Sequence, residues 1–130
     1  MQLKKLQSML RHFLQSTRSG HIRINLLKSQ EIKNLLEVLQ FYGYIIGYSL
    51  NTTTNSLSVF PRYRLDGGSY LSEIEFYSDL RVYCTYEKLL ILSKRSGSAI
   101  ILLYNPTVGV VSHEVALMKG LGGVLICKVQ

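Results

Sequence analysis

The sequence predicts an α/β (α+β) protein of two small lobes: an N-terminal α-β-α-β-β lobe over 1–65 and a C-terminal β-rich lobe with short helices over 66–130. Three observations predict it. Apolar residues recur at helical spacing in two segments of the first half, short alternating or continuous apolar runs fill most of the remainder, and "RLDGGSY" interrupts both periods midway as a hinge would. A chain of 130 residues, 47% hydrophobic and 18% charged, has the apolar content to bury a core of its own, which excludes global disorder.

The elements follow in order. Leu3, Leu6, Leu10, Phe13 and Leu14 mark a first amphipathic helix, with Lys4, Lys5, Arg11 and Gln15 largely on its other faces. In "HIRINLL" the apolar Ile22, Ile24 and Leu26 alternate with Arg23 and Asn25, the pattern of a half-buried strand. Ser29 is placed to cap a second helix, whose Ile32, Leu35, Leu36 and Leu39 form one stripe and which Gly43 ends. "YIIGYSL" and "SLSVFPRY" read as strands joined by the turn-forming "NTTTN". Pro61 lacks an N–H, so its strand is expected at a sheet edge or about to leave the sheet.

In the second half, "YLSEIEFY" and "RVYCTY" are β-rich, and "EKLLILSKRSG" offers one or two helical turns. "AIILLY" is a continuous apolar strand, "NPTVG" a loop, "VVS" a return strand, "HEVALMK" a brief helix and "VLICKV" a closing strand. The lobes are expected to meet near residues 64 to 79, and no internal repeat is evident.

Charge narrows the partners. Lys and Arg number 15 against 8 Asp and Glu, a net charge of +7, and residues 1–30 carry Lys4, Lys5, Arg11, Arg18, Arg23 and Lys28 without one acid. Such a one-sided field suits a polyanion: nucleic acid or an anionic membrane surface. The longest apolar run, Ala99 to Tyr104, is far shorter than the roughly 20 residues a membrane-spanning helix needs. Leu3 to Leu14 is too interrupted by polar residues to read as a secretory signal.

Chemistry is sparse. Cys84 and Cys127 sit singly in apolar surroundings, without metal or redox spacing, and read as buried reduced thiols suited to a reducing compartment. His113 and Glu114 are adjacent, so on a helix they diverge rather than pair, and His12 and His21 have no carboxylate nearby. No nucleophile elbow, zinc motif or phosphate loop is present, which speaks against an enzyme, although a catalytic group assembled only in space stays open. What stands out instead is the punctuation of "YNPTVGVVSHEVALMKGLGGVLICKV" by Pro106, Gly109, Gly120, Gly122 and Gly123, which suggests shaped loops; taken alone, "GLGG" is no more than a helix cap and a turn.

The segments "SMLRHFLQST", "SQEIKNLLEVLQFYGYI", "YSDLRVY" and "YNPTVGVVSHEVALMKGLGGVLICKV" occur in the order and at the spacing found in small-subunit ribosomal protein family eight, of bacterial and organellar type. The chain resembles that family from about Leu6 to Val129. The resemblance implies a two-lobed structural protein of the small ribosomal subunit that binds the central domain of its RNA and supports assembly. Its partners would be small-subunit ribosomal RNA and neighbouring small-subunit proteins, with no cofactor, metal, membrane or small-molecule substrate.

In the family a loop written Ser-Thr-Ser-Lys-Gly contacts RNA, mostly through the minor groove, and by position it falls on Asn105, Pro106, Thr107, Val108 and Gly109. The wide, shallow minor groove of A-form RNA is open to short polar side chains and backbone N–H groups. Asn105 is expected to offer a donor and an acceptor, Thr107 a hydroxyl and Gly109 close backbone approach. Gly122 and Gly123 are expected to shape the same surface, and Arg81 and Tyr83, from the "LRVY" match, to contribute near it. Packing between lobes is the competing reading for Tyr83.

Lys4, Lys5, Arg11 and Arg18 would add electrostatic attraction where the family's basic N-terminal pattern is only partly kept. Pro106 and Val108 replace a hydroxyl and a lysine of the family loop, and Val124 replaces a glutamate. These departures and the tyrosine- and isoleucine-rich composition resemble a mitochondrial member of the family, with bacterial cytoplasm or plastid as alternatives; without a visible presequence, translation inside the organelle or a mature chain would be implied. An off-ribosome RNA-binding regulator on the same fold remains the other reading.

Overall fold

The structure is a computed structural model and describes residues 3–78, 80 and 82–130. Twelve elements occur among them: α1 (Leu3–Arg18), β1 (Ile24–Leu27), α2 (Gln30–Phe41), β2 (Ile45–Asn51), β3 (Ser56–Pro61), β4 (Ile74–Phe76), β5 (Tyr83–Cys84), α3 (Tyr86–Arg95), β6 (Ile100–Asn105), β7 (Gly109–Ser112), α4 (His113–Met118) and β8 (Gly123–Val129). No described helix is long and apolar enough to cross a membrane.

Two compact units divide the chain, Ser8–Ser72 and the N-terminal residues through Gln7 with Glu73–Gln130. The division expected at 65/66 shifts at both ends. At the start of α1, the Gln7 side chain reaches the C-terminal sheet, where Nε2 donates to the Tyr77 carbonyl (2.8 Å) and to the Ile126 carbonyl (2.9 Å). After residue 65, Arg64 N–H donates to Gly68 O (2.6 Å) and Tyr70 N–H to Arg62 O (3.0 Å), folding the hinge segment back on the first unit.

In the Ser8–Ser72 unit, an antiparallel sheet of order β1-β3-β2 accompanies two helices. Leu10, Phe13 and Leu14 of α1 are buried as their spacing requires, as are Ile32, Leu35, Leu36 and Leu39 of α2. Ser29 caps α2, its side chain accepting from Ile32 N–H (3.1 Å), and Gly43 takes the positive φ (80°) that lets the chain turn away.

One expectation is corrected here, and one of two alternatives is selected. Ile22 is 81% exposed because β1 pairs only from Ile24, opposite Val59, and among the described residues no strand pairs with those before it. β3 is the central strand rather than an edge, but it ends at Pro61, the other branch of that expectation: pairing with β1 stops at Val59 and Pro61 faces only Ile45 of β2.

The other unit is built on an antiparallel sheet of order β4-β8-β6-β7, with β5 also paired to β8. β6 and β8 are its centre; Ile101, Leu102, Leu103, Ile126, Cys127 and Val129 are almost wholly buried. Cys84, Leu89, Leu103 and Ala116 form one apolar cluster of this unit. The segment expected to give one or two helical turns is the ten-residue α3, begun by Thr85, whose side chain accepts from Lys88 N–H, with Glu87 in its first turn and Lys94 and Arg95 in its last, the polarity the helix dipole favours. Both cysteines are free and buried, and burial holds their thiols protonated, that of Cys127 pushed up to about 12.

Truncating Leu36→Ala removes a side chain only 1% exposed and is expected to cost about 2–5 kcal/mol in denaturant unfolding. Phe41→Ala, on the same helix but 80% exposed, should change stability by less than about 0.5 kcal/mol.

Candidate nucleic-acid interface

The β6–β7 hairpin carries the loop singled out from the sequence. Asn105 pairs with Gly109 at its base, and the tip is closed by Val108 N–H donating to the Asn105 carbonyl (3.2 Å). Pro106 fits the first corner of such a turn because its φ is already fixed, and Gly109 takes φ +79°, where a side chain would be strained. Pro106 and Thr107 are exposed at the tip.

Asn105 does something other than the sequence suggested. Its side chain is buried, 4% exposed, and each of its polar groups faces inward. Oδ1 accepts from Thr107 N–H (2.8 Å), while Nδ2 donates to the Gly122 carbonyl (2.8 Å) and to the Tyr83 hydroxyl (3.4 Å). The amide orientation is unambiguous, since a backbone N–H can only donate and a backbone carbonyl only accept. One side chain thus ties the hairpin tip to the start of β8 and to β5.

Gly122 and Gly123 are buried beneath this tie. A Cβ at Gly122 would strike the Cys84 carbonyl, and one at Gly123 would strike the Tyr104 carbonyl and the Leu103 side chain. Their lack of side chains lets β8 begin between β5, where Cys84 pairs with Gly123, and β6, where Tyr104 pairs with Val124. These glycines shape the surface from below.

Tyr83 stands 51% exposed in β5, paired to Val124, with its hydroxyl on Asn105. Its ring also borders an apolar groove of about 480 Å³ lined by Tyr77, Val82, Cys84, Ile91 and Leu125, with Lys88 among the remaining lining residues. Arg81, expected beside it, lies outside the described residues. Lys4, Lys5, Arg11 and Arg18 are all exposed along α1, and Lys4, Arg11 and Arg18, seven residues apart, fall on one stripe of the helix.

The structure therefore ties Asn105, Thr107, Tyr83 and Gly122 together by hydrogen bonds at the base of the hairpin tip. A role that the sequence did not signal belongs to His113: buried behind the hairpin, it accepts the Ile101 N–H at Nδ1 (3.0 Å), which requires a neutral ring protonated on Nε2. Burial holds its pKa below the usual imidazole value, with the neighbouring Glu114 pulling the other way. An apolar strand facing a lone histidine gives no sequence signal for this bond.

Among the described residues no cluster of His, Cys, Asp and Glu could hold a metal ion. What remains is a neutral tip of a proline, a threonine hydroxyl and backbone groups beside an aromatic ring, in a chain of net charge +7. Comparison with known proteins places it. The family described as Ribosomal protein S8 matches residues 4–130 of the chain.

The chain belongs to the ribosomal protein S8 family.

It is also 38% identical over 101 residues to the small ribosomal subunit protein uS8 of Buchnera aphidicola subsp. Cinara cedri (strain Cc), covering 75% of each chain. As a member of the S8 family it is a structural protein of the small ribosomal subunit, with small-subunit ribosomal RNA and neighbouring ribosomal proteins as its partners. The mixed α/β fold agrees with that membership.

Gly122→Ala and Gly123→Ala are each expected to lower stability by about 1–3 kcal/mol, because the obstructing atoms are mostly backbone and cannot swing aside. Stability should also fall with acid through His113. The unfolded imidazole titrates near 6.5 and the folded one lower, so below about pH 6.5 the unfolded chain binds the extra proton first and stability drops until the folded pKa is passed. A His113→Gln variant should lose that part of the pH dependence in urea titrations between pH 7 and pH 5.

Proposed function

We propose that this S8-family chain holds RNA through the exposed tip of the β6–β7 hairpin, with Pro106, Thr107 and the Gly109 backbone against a minor groove and the Tyr83 ring beside them. The observation that carries the reading is the exposed, uncharged tip closed by hydrogen bonds. A shallow groove lined with 2′-hydroxyls can be met by a hydroxyl and backbone N–H groups held in place, without long cationic side chains. Gly122 and Gly123 support that tip from beneath, and Asn105 holds it. Arg81 is assigned to RNA binding from its place in "LRVY" alone.

Lys4, Lys5, Arg11 and Arg18 add a second, sequence-independent contribution along α1 by attracting phosphates. Each phosphate they neutralise releases counterions and steepens the salt dependence of binding. The role is non-catalytic: the fit is between surfaces, and family membership supports a structural part.

The ribosome we assign is a mitochondrial one. The support is compositional: nine tyrosines in 130 residues, and Pro106 and Val108 where the family loop has a threonine and a lysine. The Buchnera aphidicola relative is bacterial, which makes bacterial cytoplasm the competing placement.

A tagged copy sedimented from native lysate should travel with small subunits at low and moderate salt, and organelle fractionation should find those subunits in mitochondria. Free protein, or protein on another RNA, would overturn the site assignment in favour of an off-ribosome regulator. With purified central-domain RNA, reversing charge at Lys4, Lys5 and Arg11 should weaken binding and flatten the slope of log affinity against log salt by about 1 for each phosphate no longer neutralised. An unchanged slope would remove α1 from the interface.

A further inference from the structure

We propose that Asn105 is a positioning residue of the RNA-binding surface: it fixes the hairpin tip onto β8 and β5 and does not itself touch RNA. The inference rests on the reading of that tip as the RNA-binding element, and it reverses the role expected for Asn105 from the loop's sequence.

The geometry leaves Asn105 little else to do. The residue is 4% exposed, its Oδ1 holds the Thr107 N–H at 2.8 Å, and its Nδ2 holds the Gly122 carbonyl at 2.8 Å and the Tyr83 hydroxyl at 3.4 Å. Both Nδ2 hydrogens are already engaged, and the second lone pair of Oδ1 belongs to a side chain too buried for an RNA donor to approach freely. The three bonds also reach three separate segments. The Thr107 bond orders the tip, the Gly122 bond anchors it to β8, and the Tyr83 bond orients the exposed phenol toward the same side.

A shorter side chain could not do all three. Serine can accept an N–H two residues ahead, but it has no second group to span to Gly122. Asparagine at this position therefore makes the tip rigid in the free protein, so less freedom is lost on binding. This suits a loop that lacks a lysine to hold it on the phosphates.

The test measures affinity for a central-domain fragment of small-subunit ribosomal RNA by the wild type, Asn105→Ala, Asn105→Ser, Thr107→Ala, and the double variant Asn105→Ala/Thr107→Ala. Amide hydrogen exchange of the free proteins is followed alongside. Asn105→Ala should weaken binding about tenfold. Exchange at Thr107 should quicken while the β6–β8 ladder stays protected, which shows that the fold survives. Asn105→Ser, able to accept the Thr107 N–H but too short to reach Gly122, should fall between.

The double variant should bind hardly worse than Asn105→Ala alone, because Asn105 acts through the placement of Thr107. Multiplying losses with unchanged Thr107 exchange would overturn the inference and make Asn105 a group that touches RNA directly. If replacing Pro106 and Thr107 by glycines left RNA affinity unaltered, the tip itself would not be the interface, and the reading beneath this inference would fail first.

Discussion

The C-terminal unit depends on one close approach of backbone to backbone. β8 begins at Gly123 with Tyr104 of β6 on one side and Cys84 of β5 on the other, at separations that leave no space for a Cβ at either Gly122 or Gly123. Without that approach the Gly122 carbonyl would stand away from the hairpin and Asn105 would lose its anchor. The pairing of β5 would also be lost, and with it the placement of Tyr83 beside the tip. Two absent side chains thus determine where the functional groups sit.

Polar side chains complete the same unit by satisfying backbone groups that the sheet leaves over. Gln7 bonds the Tyr77 and Ile126 carbonyls, His113 accepts the Ile101 N–H, and Asn105 bridges the loop to β8. Each is buried, so each would be costly if its partner were missing. Among the described residues no buried side-chain nitrogen or oxygen lacks a partner. For the proposed function the consequence is that the neutral tip is held by hydrogen bonds in one shape, as recognition of a groove by shape would require.

The charges follow a different logic. The α1 cations are exposed and need no fixed geometry to attract a polyanion, since their effect acts over roughly a Debye length. The hairpin tip carries no charge at all, so any contact it makes works only at touching distance. In the proposed reading, long-range attraction and short-range fit are therefore placed on separate elements of this S8-family protein.

By itself the sequence determined most of the elements and the family. The stripe Ile32, Leu35, Leu36 and Leu39, the Ser29 cap and the Gly43 stop are local features, written in spacing and residue type, and the structure shows each of them. The four ordered segments likewise carried the S8 resemblance that the comparison bore out. Tertiary structure decided what local patterns cannot contain. Ile22 alternates correctly but has no strand opposite it among the described residues, and Pro61 lies in a central strand that outlasts its neighbour. Asn105 looks like a surface donor and acceptor until Gly122, seventeen residues on, comes within 2.8 Å of it. Burial and hydrogen-bond partnership are set by residues distant in the chain, so the chemistry offered by a side chain can be read from sequence, but whether that chemistry faces solvent or the protein cannot.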